Sequence, residues 1–177
     1  MREMKDDRAA LLDSYLEHEK WPEARGIIRD LLRKQPDSHW LLTNLALTYY
    51  EQRKYAKALE ISKAALKTTP NCPLVLWNHA GTLEMLGRRA RAIQIYRTLI
   101  QRGSRRRSYG NCWESARWTE SLVNDCRYRL ALCYRDLGRK NTASRYFGEH
   151  LRRRRPGVPS IYSRKEVLEK LNQLRSS

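Results

Sequence analysis

One small residue recurs at a fixed interval along most of this chain. Ala24, Ala58 and Ala92 stand 34 positions apart, and Ala143 continues the series after 17 additional residues. A repeat of this length is typical of a helical hairpin that stacks on copies of itself. Only a small side chain fits where two antiparallel helices cross closely, so this alanine column predicts tightly paired helices. The sequence therefore indicates an all-α fold.

Other columns repeat in register with the alanines. Leu45, Ala46 and Tyr49 share one face of a predicted first helix, and Pro70 ends the segment. The matching columns of the other segments hold Leu11, Leu12, Tyr15 and Pro36, then Ala80 and Leu83, and finally Leu130, Ala131 and Tyr134. This regularity indicates that each segment is one helix-turn-helix unit.

Taken together, these columns resemble the tetratricopeptide repeat family. The resemblance implies a right-handed superhelical solenoid of four helix-turn-helix units within a single domain, residues 1–177. The units are residues 5–38, 39–72, 73–103 and 124–157. The chain departs from the family pattern at four places: Ser62 replaces an aromatic residue, His79 a leucine and His150 an alanine, and the proline expected after Leu99 is missing. These departures bear on local packing and leave the predicted fold intact.

Residues 104–123 interrupt the period. Gly103, Ser104 and Gly110 bracket three arginines and Tyr109, a composition that predicts an exposed and mobile loop. Helical spacing resumes at Trp113, so we expect the first helix of the fourth unit to begin about three turns early. Trp113 and Trp118 then project beside the arginines as a stacking and charged surface, or alternatively fold back over the third unit.

The end of the chain is predicted to form a capping helix over residues 163–175. Ser163 and Glu166 have the spacing of a capping box, and an apolar stripe follows them. A repeat array needs such a cap, because its last unit otherwise exposes an apolar face. The stripe consists of Val167, Leu168, Leu171 and Leu174.

The formal net charge of +17 is divided unevenly along the chain. Residues 1–72 hold 13 Lys and Arg against 11 Asp and Glu, while residues 73–177 hold 23 against 8. The basic part is predicted to bind RNA or an acidic partner, unless its arginines simply form a solvated face. The predicted anion-binding residues are Arg105, Arg106, Arg107, Trp113, Arg152, Arg153, Arg154 and Arg155.

The resemblance further implies a concave groove that is lined by the first helix of each unit and binds a peptide or helix of another protein. The residues placed there are Trp40, Asn44, Leu47, Tyr50, Glu51, Trp77, Asn78 and Glu84. Alternatively, Trp40 and Trp77 pack into neighbouring helices as core residues. Acidic residues also tend toward this face, which favours an apolar or basic ligand. They are Asp13, Glu17, Glu51 and Asp136.

Several classes of function are not indicated. The four cysteines form no CxxC pair and lie at no zinc-binding spacing from a histidine, so we expect reduced thiols and no metal or cofactor. We also expect no catalysis, no small-molecule substrate and no membrane insertion, since the chain shows no nucleophile motif and no 18-residue apolar stretch. The prediction is a non-enzymatic, cytoplasmic interaction scaffold, with RNA or other polyanion binding as the alternative.

Overall fold

The computed structural model describes residues 3–112 and 115–176, which fold into α-helices and two short 3-10 turns, with no strand among them. The helices are α1 Glu3–Glu17, α2 Trp21–Lys34, α3 His39–Glu51, α4 Tyr55–Thr68, α5 Pro73–Met85, α6 Arg89–Arg102, α7 Ala116–Asp136, α8 Lys140–Arg152 and α9 Arg164–Ser176. The 3-10 turns are Arg106–Ser108 and Gly110–Cys112. The predicted all-α class is confirmed. Within the described ranges, no helix combines the length and apolarity needed to cross a bilayer.

The chain divides into two compact units, Met1–Pro70 and Asn71–Ser177. The first unit holds the hairpins α1–α2 and α3–α4, and the second holds α5–α6, α7–α8 and the final helix α9. The single domain expected from the sequence stays a prediction.

The alanine column lies where the period predicts it, inside the helix pairs. Ala24, Ala58, Ala92 and Ala143 have no solvent-exposed surface. In the first unit, Ala24 belongs to a core that is formed mainly by large apolar residues. That core consists of Leu12, Ala24, Ile28, Leu41, Leu45, Ala46 and Ile61.

The turn inside each hairpin uses the same left-handed backbone conformation. The second unit places Gly87 and Gly138 there, both with φ of 73°. The first unit places Glu19 and Arg53 there, with φ of 56° and 57°. Glycine adopts this conformation without steric cost, so the second unit has the less strained turns.

The long helix α7 accounts for part of the interruption in the period. It has 21 residues where α3 and α5 have 13 each, and Ser115 caps its first turn by accepting a hydrogen bond from the Trp118 amide at 3.1 Å. The additional length is roughly two turns rather than the three expected. Trp118 is half-buried, while Trp113 lies outside the described residues.

Residues 106–112 form two 3-10 turns, and the prediction of an exposed loop is wrong at Tyr109. This side chain is only 3% exposed, and its hydroxyl donates a hydrogen bond to the Gly103 carbonyl at 2.8 Å. The glycines in this segment correctly indicate that α6 ends, but they carry no information on where the tyrosine ring packs.

Helix α9 occupies the segment that was predicted to cap the array. The Glu166 amide donates to Ser163 Oγ at 3.1 Å, which starts the helix. Val167 and Leu171 are buried, whereas Leu168 is 38% exposed. The core beneath α9 consists of Tyr128, Ala131, Phe147, Val167 and Leu171.

Ala58→Leu tests the alanine column, with Ala56→Leu on the same helix as the matched control. We expect Ala58→Leu to lower the free energy of unfolding by about 1–3 kcal/mol, because the added atoms have no space between α3 and α4. The control should stay within about 0.5 kcal/mol of the wild type, because Ala56 is exposed. Urea unfolding followed by circular dichroism measures both, and equal effects would contradict the tight crossing.

Candidate functional site

The exposed face of α3 in the first unit carries four of the predicted groove residues. Trp40, Asn44, Leu47 and Glu51 follow one another at intervals of four, three and four residues, which places them along one side of the helix. Trp40 is 41% exposed, so it is a surface residue rather than a core residue. Asn44 and Leu47 are half-buried beside it, and Glu51 is exposed. We call these four residues the α3 stripe.

Two contacts order side chains on and beside the α3 stripe. The Asn44 amide nitrogen donates to the Trp40 carbonyl at 3.0 Å, which fixes the orientation of the amide group. Tyr50, also predicted to line the groove, packs edge-to-face on Tyr55 with 5.4 Å between the ring centroids. These contacts reduce the side-chain entropy that a partner would have to remove on binding.

The end of the α3 stripe is electronegative. Glu51 keeps much of its side chain in solvent, but the partial burial of its carboxylate and the neighbouring carboxylate of Glu19 raise its pKa above the ordinary value. Asp13 and Glu17 in the same unit are exposed. A cation placed beside Glu51 would relieve the repulsion between the two carboxylates.

The predicted groove residues on α5, in the second unit, are engaged in contacts within that unit. Trp77 is half-buried and packs edge-to-face on Tyr96 at 5.7 Å. The Asn78 amide donates to the Leu74 carbonyl at 3.0 Å. Glu84 is only 9% exposed, so its carboxylate is largely withdrawn from solvent.

Glu84 belongs to a buried polar network that the sequence did not indicate. Its carboxylate accepts hydrogen bonds from Arg129 Nε at 2.9 Å and from the Tyr96 hydroxyl at 3.1 Å. The Arg129 guanidinium also donates to the Tyr162 hydroxyl at 3.5 Å. Tyr162 stacks on Tyr128 with 3.7 Å between centroids. The network thus joins α5, α6 and α7 to the chain that precedes α9.

The segment 153–163 between α8 and α9 is fastened to α7 by a buried carboxylate. Asp125 is 3% exposed and accepts hydrogen bonds from Ser160 Oγ at 2.5 Å and from the Ile161 amide at 3.1 Å. Burial raises the pKa of Asp125. Ser121 Oγ donates to the Pro159 carbonyl at 2.5 Å, so the segment also covers the N-terminal part of α7.

His150 lies fully buried beside this carboxylate, at the column where the family pattern has an alanine. Its Nδ1 donates to the Asn124 carbonyl at 3.0 Å, and the Asn124 amide donates back to the His150 carbonyl at 3.2 Å. Burial lowers the pKa of His150 below its ordinary value. The histidine is therefore a structural residue, and its burial disfavours the charged form.

The predicted anion-binding residues have different environments. Arg105, Arg106 and Arg107 are exposed, as are Arg152 and Arg153. Arg154 is half-buried and donates to the Tyr162 carbonyl at 2.6 Å, so it holds segment 153–163 in place. Arg155 forms a surface ion pair with Glu120 at 3.4 Å. Trp113, the remaining predicted member, cannot be placed because it falls outside the described residues.

Two family models match this chain, and both are described as tetratricopeptide repeat. One matches residues 10–61 and 43–107, and the other matches residues 125–149. The matched residues make up more than half of the chain. No curated protein matches the sequence closely.

Solved structures of repeat proteins resemble this one. PilF from Pseudomonas aeruginosa is 19% identical, with a TM-score of 0.74 over 99% of this chain and 69% of its own. A tetratricopeptide repeat protein from Parabacteroides merdae is 18% identical, with a TM-score of 0.64 over 97% of this chain and 60% of its own. MamA is 16% identical, with a TM-score of 0.61 over 86% of this chain and 74% of its own. At these identities the likeness shows the fold, and it confirms the helical-repeat class.

The buried pair of Glu84 and Arg129 generates a prediction for stability. Arg129→Met should lower the free energy of unfolding by about 3–5 kcal/mol, because it leaves the Glu84 carboxylate buried without its cation. The double variant, Arg129→Met with Glu84→Gln, lacks the buried charge and should regain part of the lost free energy of unfolding. The control is Arg145→Met, since Arg145 pairs with Glu149 at the surface and should contribute at most about 1 kcal/mol. Urea unfolding measures all three variants, and equal losses from Arg129→Met and Arg145→Met would contradict the role of the network.

The lowered pKa of His150 predicts that stability falls in mild acid. Below its ordinary pKa of 6.5 the histidine takes up a proton in the unfolded chain before it does so in the folded chain. The free energy of unfolding therefore decreases as pH falls below 6.5. The neighbouring Asp125, with a raised pKa, acts in the opposite sense.

His150→Gln should flatten this dependence, which unfolding measurements between about pH 7.5 and pH 5.5 would show. The readout is the slope of the free energy of unfolding against pH. A lower overall stability of the variant therefore does not affect the comparison. An unchanged slope in the variant would contradict the assignment to His150.

Proposed function

Since this chain belongs to the tetratricopeptide repeat family, we propose that it is a non-enzymatic scaffold whose first unit binds a basic, apolar segment of a partner protein along α3. The family fold suggests protein–protein interaction, but a fold alone never determines the ligand. The specific proposal therefore depends on the α3 stripe.

The observation that supports this proposal best is the exposed indole of Trp40 on the α3 stripe. Tryptophan is the residue most enriched among those that dominate binding energy in protein interfaces. Here it is followed along the helix by Leu47, which adds apolar area, and by the amide of Asn44, which can fix the register of a ligand. The stripe extends over about 16 Å, which suits a partner helix of about three turns or a short extended peptide.

The charge of the expected ligand follows from Glu51 and Glu19. Partial burial and, second to it, repulsion from Glu19 raise the pKa of Glu51, and both effects would be offset by a lysine or arginine of the partner at this end of the stripe. The first unit has a net charge of only +2, from 13 basic and 11 acidic residues, so it does not repel a basic segment strongly.

The other predicted contact residues have a secondary place in the proposal. Tyr50, Trp77 and Asn78 stay predicted contacts, whereas Glu84 is left out because Arg129 already neutralises its carboxylate. Binding of RNA through the arginine runs is not included, because no nucleic-acid-binding module supports it. The cytoplasmic location and the lack of catalysis also stay predictions.

Trp40→Ala tests the α3 stripe directly, using the full chain. The probe is a fluorescent amphipathic helical peptide of leucine and lysine, and its affinity is measured by anisotropy. We expect Trp40→Ala to weaken binding about 30-fold or more, since an interface anchor contributes at least about 2 kcal/mol. Glu51→Gln should weaken binding less and should reduce its dependence on salt.

The controls are matched to these two changes. Leu11→Ala removes another exposed apolar side chain of the first unit, and Glu23→Gln removes another exposed carboxylate. Both should bind the probe as the wild type does. If Trp40→Ala binds as tightly as Leu11→Ala, the α3 stripe is not the binding surface.

A further inference from the structure

The interruption in the repeat brings two distant cysteines together within the second unit. Cys72 lies directly before α5, and Cys112 ends the second 3-10 turn, 40 positions later. Their sulfur atoms lie within 4.8 Å of each other, and the two thiols form a hydrogen bond. Cys72 is buried and Cys112 is half-buried, so one side of the pair can be approached from solvent.

The surrounding chain holds both cysteines in place. The Cys112 amide donates to the Tyr109 carbonyl at 3.2 Å, and Tyr109 is itself anchored by its hydroxyl on Gly103. On the other side, Asn71 accepts a hydrogen bond from the Arg102 guanidinium at 3.0 Å, which ties the chain before Cys72 to the end of α6. The two sulfurs are therefore positioned by the fold rather than by flexible ends.

We propose that Cys72 and Cys112 bind a thiophilic metal ion of the Zn²⁺ or Cu⁺ class. A metal–sulfur bond is about 2.3 Å long, so one ion can bridge two sulfurs that lie up to about 4.6 Å apart. The two sulfurs lie within 4.8 Å of each other, so little movement is needed for both to reach one ion. Thiolate sulfur is a soft ligand that selects ions of this class over Mg²⁺ or Ca²⁺. This inference is independent of the α3 stripe and of the proposed function.

The binding step is an exchange of protons for a metal ion. Burial raises the pKa of the Cys112 thiol to about 12, so the ion must displace its proton. Both thiols release their protons to the solvent, two metal–sulfur bonds form, and no electron is transferred. The bound ion would join the start of α5 to the 3-10 turn that ends at Cys112, and it would thereby stabilise the folded second unit.

The test uses the full chain, reduced and kept free of oxygen. Co²⁺ serves as an optical probe, because sulfur-to-cobalt charge transfer gives an absorption band that Zn²⁺ abolishes by displacement. A second arm measures Cu⁺ binding in competition with a coloured Cu⁺ chelator, which separates the two ions. The variants are Cys72→Ala and Cys112→Ala, and the matched control is Cys126→Ala, which removes a buried cysteine from α7.

We expect the wild type and Cys126→Ala to bind one ion and to gain in melting temperature when it is added. Cys72→Ala and Cys112→Ala should lose the cobalt band, the Cu⁺ competition and the gain in melting temperature. Circular dichroism checks that each variant folds. If Cys72→Ala does not fold, Cys112→Ala carries the test. A second measurement then asks whether Zn²⁺ protects both thiols of the wild type against an alkylating reagent.

Three results would overturn the proposal. The first is the absence of any cobalt band, Cu⁺ competition or thermal shift in the wild type. The second is equal metal binding by the wild type and by a folded Cys112→Ala variant. The third is a Cys72–Cys112 disulfide on exposure to air in a protein that binds neither ion when reduced.

Discussion

The close crossing of two helices at an alanine is the constraint on which each hairpin depends. The four alanines have no exposed surface, so a larger side chain at this point would have to displace its neighbours. The crossing fixes the rotation of both helices, and hence which residues turn outward. Two buried polar residues that stand where the family pattern has apolar ones form hydrogen bonds to backbone carbonyls. Ser62 donates to the Leu59 carbonyl at 3.0 Å, and His150 donates to the Asn124 carbonyl.

The periodicity of the sequence predicted the helices and the buried alanines because both depend on local spacing. It left open whether Trp40 was core or surface, and the structure shows that it is exposed. Other features could not be predicted, because they arise from side chains that the fold brings together from distant segments. The pairing of Glu84 with Arg129 and the approach of Cys72 to Cys112 are of this kind. A repeat pattern places helices, but it does not specify which side chains meet.

The two units differ in how they use their carboxylates. The second unit has eight acidic residues, and most of them are held by a basic or hydroxyl side chain within that unit. The pairs are Glu84 with Arg129, Glu120 with Arg155, Asp125 with Ser160, Asp136 with Arg89, Glu149 with Arg145, and Glu166 with Tyr128. Many arginines remain at its surface, which accounts for its basic character. In the first unit, by contrast, Asp13, Glu17 and Glu51 are exposed.

This division of charge bears on the kind of partner that suits the proposed function. A segment that is basic throughout is attracted by Glu51 in the first unit but repelled by the arginine-rich surface of the second. Taken by itself, the α3 stripe of the first unit suits a segment with basic and apolar residues, and the surface of the second unit suits an acidic one. Charge complementarity at the α3 stripe would favour specificity as well as rapid encounter.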